Sequence, residues 1–110
     1  MAGHADQYQR VHPPFVPAIR ELCREFDVVR LEVFGSAATG DFDPERSDVD
    51  FLVEYAPETN LGPWMKRYFE LEERLATLLG RPVDLVMVGA LRNPYFIRSV
   101  NKSRRVLYAA

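Results

Sequence analysis

The stretch that most constrains this 110-residue chain runs from Gly35-Ser36 to Asp48-Val49-Asp50. A strand-like run stands on each side of it. Val28 to Phe34 alternates Val29, Leu31 and Val33 against Arg30, Glu32 and Phe34, the period of a half-buried strand. Val49 to Tyr55 puts Val49, Phe51 and Val53 on one face and Asp48, Asp50, Leu52 and Glu54 on the other. Between the runs, Gly35 ends the first strand and Ala37-Ala38-Thr39 suits a short helical turn closed by Gly40. Residues 41–47 form a charged loop around Pro44.

Two carboxylates two residues apart on a strand leave the same face, so Asp48 and Asp50 are placed to share a cation. Without positive charge between them, one is driven toward protonation. A hard divalent ion with oxygen ligands, magnesium above all, meets that need and keeps open positions for water and phosphate. The Gly-Ser supplies the other half. Gly35 has no Cβ to block a close approach, and Ser36 brings a hydroxyl and the amides of a turn toward an anion. The pattern implies a nucleoside triphosphate at Gly35 and Ser36, with metal at Asp48 and Asp50.

Asp84 is the third candidate carboxylate. It is the lone charge in the strand-like Pro82-Val83-Asp84-Leu85-Val86-Met87-Val88, where an unpartnered acid is costly to bury. If that strand lies beside Val49–Tyr55, Asp84 joins the metal pair as general base or orienting group for an attacking hydroxyl. Taken singly, each feature has a plainer explanation. Asp-x-Asp is common on surfaces, Gly-Ser makes turns, and Asp84 is a fitting ion-pair partner for Arg30 or Arg81.

The remaining elements follow from periodicity. Phe15, Val16, Ile19, Leu22, Cys23 and Phe26 predict a helix over about 15–26, with Cys23 on its apolar face. Trp64, Met65, Tyr68, Leu71, Leu75 and Leu78 predict a second over about 64–79, stopped by Gly80. Asn93 and Pro94 open a third over about 94–102, and Arg104–Tyr108 suits a short last strand. The order predicts an α/β (α+β) fold, a small mixed β-sheet with helices packed on one face. Residues 1–13 are expected to be a flexible arm and 14–110 a single domain. His4 and His12, eight apart without a third ligand, do not make a metal site.

Composition narrows the setting. An apolar fraction of 47% allows a core without disulfides. A single cysteine argues against a disulfide framework or a thiolate zinc site and suits the cytoplasm. No apolar run is long enough to span a membrane, and the N-terminal residues lack the pattern of a secretory signal. The net charge of −2 makes general nucleic-acid binding unexpected. Charge is unevenly spread: residues 41–58 carry seven acids and one base, and residues 92–105 carry five bases and no acid. The basic run is best explained as a solvated helix face.

Together, Val33-Phe34-Gly35-Ser36, Ser47-Asp48-Val49-Asp50-Phe51-Leu52-Val53 and Val83-Asp84-Leu85-Val86 resemble the minimal nucleotidyltransferases of the DNA polymerase β superfamily. The likeness extends over about residues 15–110. It implies a nucleotidyltransferase-like fold, Mg2+ as cofactor, and transfer of a nucleoside monophosphate, AMP from ATP, to an acceptor. By matching position, Gly35 and Ser36 bind the triphosphate, Asp48 and Asp50 ligate magnesium, and Asp84 is the third catalytic and metal-binding carboxylate. Members of this size resemble antitoxins paired with a helical HEPN toxin, an RNase, and some add AMP to a toxin tyrosine. The implied partner is therefore a HEPN-type toxin in a hetero-oligomer. One departure lies in the loop, where eleven residues separate Ser36 from Asp48 and the family pattern has ten; loops absorb such insertions.

Two other functions fit the same residues. One is a non-catalytic antitoxin that neutralises its partner by occlusion and keeps the carboxylates as relics. The other is a nucleotidyltransferase acting on a small molecule or an RNA end, for which Arg98, Lys102, Arg104 and Arg105 supply cations. With no second domain expected after Ala110 to clamp the base, either the base is held loosely or a partner completes the cleft. Trp64, Tyr68, Tyr95 and Phe96 are the aromatics available to that interface, although Trp64 and Phe96 are more simply expected in the core.

Overall fold

The computed structural model describes residues 15–39 and 48–110. The arm expected over 1–13 and the loop expected over 41–47 lie outside the described residues. The elements run α1 (Val16–Glu25), β1 (Val28–Phe34), α2 (Ser36–Thr39), β2 (Val49–Tyr55), a 3-10 turn (Pro63–Met65), α3 (Lys66–Leu79), β3 (Val83–Met87), α4 (Pro94–Ser103) and β4 (Arg105–Ala109). They match the expected elements to within two residues at each end.

The sheet order is β3-β2-β1-β4. β1 pairs antiparallel with both β2 and β4, and β2 pairs parallel with β3. A parallel pair cannot be joined by a tight turn; α3 supplies the crossover, so β3 starts level with the start of β2. That return path sets Asp84 beside Asp50.

Two amphipathic helices back one face, as expected. Ile19, Leu22 and Cys23 of α1 and Leu71, Leu75 and Leu79 of α3 are buried against Leu31, Val33, Phe51, Val53 and Leu85. Cys23 is a free core thiol that burial pushes up to about 12, far from reactive. Arg67 and Arg74 of α3 reach across to Asp27 and Glu25, both at 3.0 Å, and tie the two helices at their rim.

The third long helix, α4, closes one corner of the opposite face. Its Val100 is buried with Phe34 and Leu52. β1 is thus buried on both faces along Leu31–Phe34, whereas alternation alone suggested one wet side. The exception inside that run is Glu32, 2% exposed, which binds Arg30 at 2.8 Å and Arg104 at 2.6 Å.

Two expectations about aromatics are overturned. Trp64 and Met65 do not begin α3. Both are left-handed, at φ 56° and 55°, and Trp64 points into solvent at 94% exposure. Phe96 is 41% exposed and meets Phe34 only at a ring edge, with centroids 5.9 Å apart. Helical spacing correctly marked the side of α3 that faces the sheet, but the apolar stripe begins two residues before the helix, at Trp64 rather than Lys66. Tyr68, by contrast, is half-buried and donates its hydroxyl hydrogen bond to the Leu85 carbonyl. No helix among the described residues is long and apolar enough to cross a membrane.

Candidate active site

The site forms where β1 ends and β2 and β3 begin. Phe34 is opposite Asp50 in the antiparallel pair, and Asp50 is level with Asp84 in the parallel pair. Level residues on neighbouring strands point to the same side of a sheet, with backbones roughly 4.8 Å apart. Asp48, two residues before Asp50, shares that side. The sequence-predicted Asp48, Asp50 and Asp84 therefore stand together, on the face opposite α1 and α3. Asp50 is half-buried, and Asp48 and Asp84 are exposed.

Their electrostatics show the crowding. Burial, then the charge of Asp84, then that of Asp48, and a hydrogen bond with Asp84 push the Asp50 carboxyl up to about 6. Two carboxylates this close share a proton unless a cation replaces it. Among the described residues no three acidic, histidine or cysteine side chains already surround one point as metal ligands. Asp50 and Asp84 are in hydrogen-bond contact, and the exposed Asp48 is near enough for its charge to act on Asp50. The donors are all carboxylate oxygens, a set that suits a hard cation such as magnesium better than the thiolate and imidazole ligands of a structural zinc site.

Gly35 adjoins this cluster. It is left-handed at φ +72°, and a Cβ built on it would lie 2.7 Å from Asp50 Oδ2. Glycine is required here twice over, for the turn and for the carboxylate. The sequence had suggested that the missing Cβ makes room for phosphate, but the group occupying that room is Asp50. Ser36 follows as the first residue of α2, and the Ala38 N–H closes the turn onto the Gly35 carbonyl at 3.0 Å. All five predicted residues, Gly35, Ser36, Asp48, Asp50 and Asp84, thus lie at one sheet edge.

Arg30 is not the partner of Asp84, since its guanidinium binds Glu32. Glu32 itself escaped notice. Burial works to raise its carboxyl, but hydrogen bonds from Arg104 and Arg30 outweigh burial and hold it below the ordinary range. Its parity with Phe34 on β1 was the available clue. Ser103 also escaped notice: it accepts the Gly35 N–H at 2.9 Å, across a sequence distance no local pattern reports. A groove of about 470 Å³ between α1 and α3 is lined by Leu22, Glu25, Arg74 and Leu78 and lies on the other face from the carboxylates.

Known proteins share the sequence pattern and the fold of this chain. The nucleotidyltransferase domain model matches residues 17–107. MJ0128 of Methanocaldococcus jannaschii is 42% identical over 81 residues, covering 74% of this chain and 78% of that protein. Protein adenylyltransferase MntA of Thermococcus cleftensis is 42% identical over 74 residues, covering 67% of this chain and 70% of that one. Among solved structures, a chain of a toxin–antitoxin complex with AMP-PNP superposes with a TM-score of 0.67 at 24% identity, covering 86% of this chain and 73% of its own. A chain from the complex of tri-AMPylated Shewanella oneidensis HEPN toxin with MNT antitoxin gives 0.59 at 22% identity, covering 86% and 70%. At these identities the two structures establish a shared fold.

Proposed function

Because the chain belongs to the nucleotidyltransferase domain family, we propose that it moves AMP from magnesium-bound ATP onto a hydroxyl of a protein partner, a HEPN-type toxin, in the cytoplasm. The observation that carries this is the alignment of Asp50 with Asp84 on parallel strands, with Asp48 two residues away and Gly35 packed against the Asp50 carboxylate. The relative that is named a protein adenylyltransferase supports the acceptor class. The toxin–antitoxin complexes of the same fold support the partner.

Asp48, Asp50 and Asp84 would hold magnesium, which when bound supplies positive charge against the triphosphate and the leaving pyrophosphate. The side chains do the rest. Gly35 and Ser36 seat the triphosphate at the end of β1. Asp84, exposed at the sheet edge, orients the acceptor hydroxyl and takes its proton as the acceptor oxygen bonds to the α-phosphorus. The bond from that phosphorus to the β-phosphate oxygen breaks, and pyrophosphate departs. Asp50, half-buried between the strands, stays fixed and keeps the cluster aligned.

Incubation with ATP, magnesium and a partner co-purified from co-expressed neighbours is expected to yield a partner heavier by one AMP unit on intact mass analysis. The Asp48→Ala, Asp50→Ala double variant is expected to yield none, and full modification by that variant would sink the proposal.

Occlusion without chemistry is favoured by one observation. Trp64, Met65 and Phe69 are exposed together at 94%, 39% and 54%, an apolar surface at the start of α3. In that case the double variant still neutralises its partner with unchanged affinity.

A further inference from the structure

Two consecutive residues at the end of α4 grip β1. Ser103 Oγ accepts the Gly35 N–H at 2.9 Å and sits 3.5 Å from the Val100 carbonyl, to which its own hydrogen points. Arg104 Nε donates to Glu32 Oε2 at 2.6 Å, while Arg30 holds the other Glu32 oxygen at 2.8 Å. One turn earlier in α4, Val100 is buried against Phe34 and Leu52. The end of the helix is thus pinned on both sides of Phe34, at Glu32 and at Gly35.

We propose that Ser103 is a positioning residue of the nucleotide site. Its hydroxyl takes the Gly35 N–H and so fixes the left-handed turn that presents Ser36 to the triphosphate and leaves room for the Asp50 carboxylate. This role rests on the nucleotidyl-transfer function proposed above. It has a corollary for Gly35: its amide is committed to Ser103, so Gly35 serves the nucleotide through conformation and not through a hydrogen bond of its own.

The physical reason lies in the freedom of glycine. A left-handed glycine has more neighbouring backbone conformations open to it than any other residue. The Gly35 carbonyl is tied locally, by Ala38, but its N–H is tied only by Ser103 among its described hydrogen bonds. Loss of that acceptor leaves a half-buried donor without a partner. The backbone then rotates to find one, and rotation moves Ser36 and the gap that Asp50 fills. Asp50 stands close against that turn, since a Cβ on residue 35 would come within 2.7 Å of its Oδ2.

The test uses the full chain as wild type, Ser103→Ala and Ser103→Thr. One measurement needs no nucleotide: hydrogen exchange of the Gly35 amide followed by 15N NMR. The other is the dissociation constant for ATP with magnesium, by calorimetry. Ser103→Ala is expected to lose about tenfold in Gly35 protection and about tenfold in ATP affinity, the scale of one orphaned donor. Ser103→Thr, which keeps the hydroxyl, is expected to stay within about twofold of wild type in both. Unchanged Gly35 exchange in Ser103→Ala overturns the proposal. Lost protection with unchanged ATP affinity also overturns it, because Ser103 is then merely structural. If Ser103→Ala does not fold, the comparison of Ser103→Cys with Ser103→Thr decides, since a thiol is a poor acceptor. A wild-type chain that binds no ATP with magnesium removes the proposed function as well, whereas equal binding by wild type and Ser103→Ala removes only the positioning role.

Discussion

Gly35 leaves the space in which the Asp50 carboxylate stands: a Cβ at position 35 would lie 2.7 Å from Asp50 Oδ2. The end of one strand is therefore shaped around an acid on its neighbour. Gly35→Ala has to strain a left-handed turn and displace Asp50 at once. We expect it to destabilise the fold by about 2 kcal/mol. In the Asp50→Ala background the cost should fall by about 1 kcal/mol, because only the backbone strain remains. Urea denaturation of the four variants of this cycle measures the coupling, and strictly additive effects would refute the contact.

Asp50 makes the metal-free protein less stable as pH rises. Its carboxyl stands at about 6 in the fold against an ordinary 3.8. A raised acid is bound to its proton more tightly in the native state, so this contribution is full below about pH 4 and is lost as pH climbs through 6. Allowing for the half-exposure of the group, the loss is roughly 1–2 kcal/mol. Asp50→Asn should remove that slope and melt higher than wild type at neutral pH without metal. Magnesium should raise the wild-type melting temperature at pH 7 and leave Asp50→Asn nearly unmoved. Equal magnesium effects on both proteins would argue against Asp50 as a ligand.

Glu32 works in the opposite sense. Held below its ordinary 4.5 by Arg104 and Arg30, it stabilises the fold above that pH and loses the contribution as pH falls through its lowered value. Arg104→Ala leaves a buried carboxylate with one partner, and a cost of roughly 2–3 kcal/mol at pH 7 is expected. That penalty should shrink on acidification, as the pH falls through the lowered Glu32 titration and the carboxyl protonates. Thermal melts of the pair from neutral into acid pH provide the check.

Trp64 occupies a left-handed backbone position with its ring almost wholly in solvent. Trp64→Gly relieves the strain and gives up little packing, so a gain of about 1 kcal/mol is expected. Binding of ATP with magnesium should not change, since Trp64 lies past the far end of β2 from Asp48 and Asp50. A loss of stability in denaturant would show that the ring is held by contacts the fold needs.

Much of this was legible in the chain. Alternation located β1 and β2 and helical period located α1 and the body of α3, because each side chain's face follows from backbone geometry alone; an apolar run located β3, and the Asn93-Pro94 start located α4. The carboxylate trio was also legible, since Asp84 is a lone acid in an apolar strand and Asp48 and Asp50 share one parity. The exposure of Trp64 was not. Spacing reports which residues would share a face if the helix continued, and two left-handed residues stop it at Lys66.

What the sequence determined by itself was the set of elements and the five residues of the candidate site, for these depend on local period and on the chemistry of residue types. Tertiary structure decided how those residues meet. Only the parallel pairing of β2 with β3 brings Asp84 level with Asp50. Only the docking of α4 gives Glu32 and Gly35 their partners in Arg104 and Ser103. The reason is distance along the chain: contacts such as Gly35–Ser103 and Glu32–Arg104, 68 and 72 positions apart, are set by packing and register, and no local pattern carries them. Even the purpose of Gly35 changed, from a space kept for phosphate to a space already held by Asp50.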